Sequence, residues 1–130
     1  MTSESPYVKD DYPLSDITAR IIAAAKEVHR TLGPGFEEVF YQRAMALELP
    51  TQDMEFSREV WIEVRYKDRK LGRKRVDFII EGVMVEIKAK AKLEDVDVVQ
   101  TLSYLKASGC KVGLLLNFGS KTLEIKRLVN

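Results

Sequence analysis

Three side chains in the stretch RVDFIIEGVMVEIKAK, Arg75 to Lys90, are of types and spacing that could do chemistry: Asp77, Glu86 and Lys88. They interrupt an apolar alternation of the kind a hairpin shows when it packs on a core. With Glu81 and Gly82 as the turn, Ile80 pairs with Val83, and each outward step keeps the paired numbers at one sum. Asp77 then falls opposite Glu86, and Arg75 opposite Lys88. Side chains alternate between faces along a strand. Val76, Phe78, Ile80, Val83, Val85 and Ile87 therefore share one apolar face, and Asp77, Ile79, Met84, Glu86 and Lys88 share the other. Directly opposed residues lie about 5 Å apart at Cβ, where like charges are destabilising. A divalent cation with oxygen ligands would resolve the repulsion, and Lys88 could hold a water or a phosphate oxygen beside it. The plainer alternative is that Lys88 and Arg75 neutralise two acids on a solvated face. The clean separation of apolar and polar sets at one register favours the first reading.

The elements that must position this hairpin can be read on either side of it. Residues 1–15 carry two prolines and several charges and are expected to be an arm over a domain spanning 16–130. Ser15 or Asp16 can cap a first helix, in which Ile17, Ile21, Ala24, Val28 and Leu32 recur at helical spacing. Gly33 to Gly35, GPG, stop it. A second helix is expected from about Phe36 to Leu49, packing through Val39, Phe40, Ala44 and Leu47 and ended by Pro50. A strand follows with Val60, Ile62, Val64 and Tyr66 on one side, then a charged turn, KDRKLG, and the hairpin. EDVDVVQTLSYLKASG reads as a helix with Val98, Val99, Leu102 and Leu105 on its apolar face and Gly109 as its stop. KVGLLLNF is a continuous apolar run, hence a buried strand, and TLEIKRLV an edge-like one. The whole is a mixed α/β sandwich.

At this point the chain resembles a known family. Asp77 followed by Glu86-Ile87-Lys88 looks like the D…(D/E)XK signature of the PD-(D/E)XK nuclease superfamily, and the helix-strand-strand-strand-helix-strand order resembles its restriction-endonuclease-like core. GFEEVFY, with Gly35, Glu38 and Tyr41, is similar to the pattern naming the GxxExxY family within it, as are VHRTLGPG, QTLSYLK and LLLNF. The resemblance covers about Ile17 to Val129. It implies a nuclease that hydrolyses phosphodiester bonds of nucleic acid, with DNA the expected substrate and Mg²⁺ the cofactor, Mn²⁺ substituting. Asp77 and Glu86 match the metal-binding acids, the Ile87 carbonyl a further ligand, and Lys88 the catalytic lysine. Glu38 matches a first-helix glutamate near the metal. Gln100 and Tyr104 resemble a QxxxY helix motif and would position substrate, as would Tyr41. Val76 stands where the nominal proline would be, and Asp97 where a histidine is often found. The alternative function is a catalytically inactive nuclease-like module that binds nucleic acid or a protein.

Each remaining motif has a plain counterpart. Glu38 and Tyr41 share a helix face and could be an exposed acid beside a packing tyrosine. Asp97, Gln100 and Tyr104 could be the solvent side of an amphipathic helix. His29 stands near the end of the first helix, where it can favour the last carbonyls. RYKDRKLGRKR holds Arg65, Lys67, Arg69, Lys70, Arg73, Lys74 and Arg75 against Asp68 alone. Such a patch can bind a phosphate backbone or be a solvated hairpin tip. The 130 residues, 45% hydrophobic, suit one domain with a real core, and the net charge of +1 is uninformative as a total. Cys110 is the single cysteine, so neither an internal disulfide nor a cysteine metal cluster is expected. It reads as a small, partly buried hydrophobe. No run is long enough to cross a membrane, and a cytoplasmic location is expected.

Overall fold

The computed structural model describes residues 14–130, so the expected arm falls almost wholly outside the described residues. Helix α1 (Ser15–Leu32) and helix α2 (Glu38–Glu48) lead, followed by a short 3₁₀ turn, Leu49–Gln52. Strands β1 (Phe56–Tyr66), β2 (Arg69–Ile80) and β3 (Val83–Lys88) come next, then helix α3 (Asp95–Ser108) and strands β4 (Val112–Asn117) and β5 (Glu124–Val129). The five strands form one mixed sheet in sequence order. Neighbours are antiparallel except β3 and β4, which run parallel because α3 crosses between them. This is the α/β, restriction-endonuclease-like arrangement the element order implied. No described helix is long and apolar enough to cross a membrane.

Both sheet faces are covered. Against α1 and α2 lie Phe78, Ile80, Val83, Val85, Ile87, Leu114, Leu116 and Phe118, with Ile21, Ala24, Val28, Tyr41 and Met45 from the helices. Against α3 lie Ile62, Val76 and Met84, with Leu105 and a partly buried Cys110. The polar face expected of the hairpin is therefore a second core for part of its length, and Val76 belongs to it rather than to the Phe78 face. Gly113 permits this closure: a Cβ there would stand 3.3 Å from the Leu105 side chain. β4 is buried throughout and β5 is the edge, as the apolar run and the alternation suggested.

Four local expectations change. Leu14, in left-handed conformation, is the residue before α1, and no side chain caps the helix; Ser15 and Asp16 lie inside it. α2 buries Tyr41 and Met45, while Phe40 and Leu47 are exposed. Val99 is exposed on α3, whose buried line is Asp97, Thr101 and Leu105. The KDRKLG turn shrinks to Lys67 and Asp68, both at positive φ (48° and 65°) as a tight two-residue hairpin needs. Arg69 onward is strand, so β1 and β2 extend as a long ribbon whose outer half is exposed on both faces.

Candidate functional site

The site forms where the β2–β3 ladder ends. Glu81 and Gly82 make the turn, both at positive φ (46° and 88°), and Ile80 pairs with Val83, Ile79 with Met84 and Phe78 with Val85. That is the predicted register. The ladder stops there, one step before Asp77 and Glu86, so the expected pairing of Arg75 with Lys88 does not occur; on its other edge, β2 continues paired with β1, Arg75 opposite Trp61. On the other side of Asp77, β1 places Glu59 at φ 53° between the Arg58–Phe78 and Val60–Val76 pairs. The pairing keeps its register across Glu59, but both strands change face there: Arg58 and Phe78 lie toward α1 and α2, and Val60 and Val76 toward α3, with Asp77 at the change-over.

Side chains bridge the gap where the strands part. The Asp77 N–H donates to Glu86 Oε1 at 2.8 Å, and the Ile87 N–H donates to Asp77 Oδ2 at 2.8 Å. Glu86 is buried and Asp77 half-buried. Burial pushes the Asp77 carboxyl above its usual range, against the opposing effects of the Ile87 N–H and the Lys88 charge. Burial, and then the negative charge of Asp77, push Glu86 up to about 7. The half-buried Lys88 favours the charged form of both acids, and of Glu38 and Asp97 as well.

Helix α2 supplies the third acid through a residue that sequence reasoning missed. Gln42 Nε2 donates to Asp77 Oδ1 at 3.1 Å and to Glu38 Oε1 at 3.2 Å, and so joins helix to sheet. The available signal was its place one helical turn after Glu38. Glu38 lies at the surface, yet partial desolvation and the charge of Asp77 push its carboxyl up. Tyr41 does not face this group. Its ring is fully buried, stacked on Phe118 at 4.9 Å. Its hydroxyl donates to the Gly33 carbonyl at 2.6 Å and accepts the Phe36 N–H at 3.1 Å. Tyr41 thus ties the GPG loop to α2 and sets the start of the helix that carries Glu38 and Gln42.

The strand end bearing Lys88 is held by the β4–β5 connection. The Phe118 N–H donates to the Lys88 carbonyl at 2.9 Å. Buried Asn117 accepts the Lys90 N–H at 2.9 Å, donates to the Lys90 carbonyl at 2.9 Å, and donates to Glu124 at 2.8 Å. Gly119 passes so close that a Cβ there would stand 2.5 Å from the Lys90 nitrogen. An asparagine closing an otherwise apolar strand was the legible sign of this clamp. His29, rather than favouring its own helix end, donates through Nε2 to the Ser120 carbonyl in the same connection at 2.9 Å.

Helix α3 divides the remaining expectations. Asp97 is buried, not on a solvent face. It accepts the Glu94 N–H at 2.9 Å in a capping box and pairs with Lys90 at 2.7 Å. Those bonds hold its carboxyl below the usual range. Gln100 is exposed and Tyr104 half-buried, with the Lys74 ammonium 5.4 Å from the tyrosine ring centre. Arg69, Lys70, Arg73, Lys74 and Arg75 all stand exposed on β2.

The donor set suits a hard divalent cation. Buried carboxylate oxygens whose charge is disfavoured by burial and mutual repulsion gain from one, and Mg²⁺ in particular is bound through one or two carboxylates plus waters and substrate phosphates. Among the described residues no three acidic, histidine or cysteine side chains are gathered as a metal cage, so Asp77 and Glu86 fit as a two-acid site with Glu38 outside it.

A protein-family model described as the PD-(D/E)XK nuclease superfamily matches residues 15–128. No curated protein matches the chain. The solved crystal structure of SSO0001 is similar at 12% identity and a TM-score of 0.46, over 88% of this chain and 77% of that one.

Proposed function

Since the chain belongs to the PD-(D/E)XK nuclease superfamily, we propose that it is a metal-dependent nuclease whose centre is Asp77, Glu86 and Lys88, acting on nucleic acid, with DNA the first candidate. The observation that carries this is the parting of β2 and β3 beside Asp77, which leaves two acids bridged across a partly buried gap with a lysine next to them. Asp77, Glu86 and the Ile87 carbonyl would hold Mg²⁺ or Mn²⁺, with Glu38 an outer acid steered by Gln42. When bound, the ion supplies Lewis-acid activation of water and of the scissile phosphate. Lys88 orients the attacking water and stabilises the negative charge that develops on the phosphate. Gln100 and Tyr104, one turn apart on α3 with Tyr104 beside Lys74 of the ribbon, position the strand, and Arg69, Lys70, Arg73, Lys74 and Arg75 bind its phosphates. Gly35, Glu38 and Tyr41 support the narrower assignment to the GxxExxY family, because the buried tyrosine locks the loop from which the glutamate's helix starts.

A second reading has an observation in its favour. One oxygen of each acid is taken by a backbone N–H, and the place of the family histidine is an aspartate bound to Lys90. A module that binds nucleic acid without cutting it would tolerate both. Incubation of labelled single- and double-stranded DNA and RNA with Mg²⁺, Mn²⁺ or EDTA separates them: metal-dependent cleavage supports the nuclease, and binding without cleavage in every metal supports the module.

A further inference from the structure

Trp61 stands midway along β1, beside the exposed outer half of the β1–β2 ribbon, and is 51% exposed. The Arg73 guanidinium packs 4.0 Å from the centre of its ring, and that of Arg75 lies at 5.6 Å. Burial does not account for so large an aromatic surface left in water, since Ile62 beside it is buried against α3 while Trp61 points the other way. Trp61 pairs with Arg75 across the ribbon, and side chains of paired residues share a face. Arg73, Arg75 and Asp77 alternate along β2, and Val76 between them faces α3. The aromatic and its two arginines therefore lie on the side of the ribbon that leads to Asp77. At the strand rise, Arg75 and Asp77 are about 7 Å apart along β2.

We propose that Trp61 is a stacking platform for an unpaired base of the strand being processed, with Arg73 and Arg75 taking the phosphates that flank it. This rests on the nucleic-acid reading above and adds that the strand is single-stranded where it crosses the ribbon. Base stacking needs exposed aromatic surface, and cations beside it supply the phosphate contacts. The indole surface that stays in water beside Arg73 offers the first and the two guanidiniums the second. DNA and RNA both present this chemistry.

Trp61 is the chain's single tryptophan, so its fluorescence reports on this position directly. In EDTA, where cleavage is blocked, unlabelled oligo(dU) and oligo(U) are titrated into the wild type. Inorganic polyphosphate and a blunt DNA duplex are titrated in parallel, with binding followed separately by anisotropy of labelled strands. The expected result is strong quenching by a single strand and little by polyphosphate or duplex, and whichever of the two oligonucleotides binds more tightly identifies the sugar. Trp61→Ala is expected to weaken single-strand binding about tenfold, and Trp61→Phe to retain most of it. An oligonucleotide that binds without changing the fluorescence overturns the proposal. So does a duplex that quenches equally, or a folded Trp61→Ala that binds as tightly as wild type. If Trp61→Ala does not fold, the wild-type quenching decides. Asp77→Asn separates this from the nuclease reading: loss of cleavage with quenching intact leaves both standing, whereas absence of cleavage in the wild type with quenching intact removes the nuclease and keeps the platform.

Discussion

Asp77 and Glu86 are joined across the end of the β2–β3 hairpin by the Asp77 N–H, which donates to Glu86 Oε1 at 2.8 Å. The bond holds two acids together at a point where burial disfavours the charge of each, with Glu86 raised to about 7 and Asp77 also raised. A carboxyl whose folded pKa exceeds its unfolded value stabilises the fold below the unfolded pKa and loses that contribution as pH rises through the folded one.

The apo protein should therefore lose stability, relative to Glu86→Gln, as pH rises from about 4.5 to about 7. The size of the difference is on the order of 3 kcal/mol for Glu86; Asp77 and Glu38 shift the absolute stability of both proteins in the same direction and leave the difference unchanged. Thermal melts in EDTA across that window check it. A constant difference between wild type and Glu86→Gln would mean that Glu86 is not strained by burial.

Metal binding should show the mirror image. A ligating carboxylate must be deprotonated, so a divalent ion displaces the proton that Glu86 keeps near neutrality. The stabilisation by millimolar Mg²⁺ or Mn²⁺, read as a rise in melting temperature, should be small well below pH 7 and grow through it, reaching about 2.7 kcal/mol at a hundredfold excess over the dissociation constant. Proton release on metal addition in a weakly buffered calorimeter measures the same linkage.

How far the chain alone disclosed this differs from residue to residue. The register around Glu81 and Gly82 was legible because the β3 residues are apolar up to Glu86 and a one-residue slip would misplace every side chain. The face of α2 was not, because Phe40 and Leu47 are apolar yet exposed, and Tyr41 is buried through two hydrogen bonds that no periodicity encodes. Val76 was placed on the wrong face because strict alternation cannot anticipate the irregularity at Glu59. The places of Gln42 and Asn117 in the sequence hinted at a role, but what they hold could not be read there, because the partners are 35 and 27 residues away.

The clamp on Lys88 should matter as much as the acids beside it. Asn117→Ala leaves the Lys90 N–H and carbonyl and the Glu124 carboxylate short of a buried partner, at a cost of roughly 2–3 kcal/mol. Gly119→Ala forces a Cβ against the Lys90 backbone, which cannot swing aside as a flexible side chain would. Both variants should melt earlier than wild type and lose cleavage even at temperatures where they remain folded. Chemical denaturation with a cleavage assay alongside tests this, and full activity in folded Asn117→Ala would show that the clamp does not set Lys88.

Replacing Arg69, Lys70, Arg73 and Lys74 together by Ser should weaken nucleic-acid binding and flatten its dependence on salt, by roughly 0.7–0.9 in the logarithmic slope for each phosphate no longer neutralised. Anisotropy titrations at several salt concentrations read both. Unchanged slopes would make the ribbon a solvated arm.

The most direct measurement compares wild type, Asp77→Asn and Lys88→Ala for cleavage of a labelled strand and for the metal-induced melting shift, in the same Mg²⁺ buffer. Wild type should cut and shift. Asp77→Asn should do neither; its apo form loses one of two repelling acids but also one of the two hydrogen bonds that Asp77 accepts from Ile87 and Gln42, so it should melt close to wild type. Lys88→Ala should shift but not cut, because the lysine acts on water and phosphate rather than on the ion. A wild type that neither cuts nor shifts with metal would contradict the nuclease centre and leave Asp77 with only its structural tie between α2 and the hairpin.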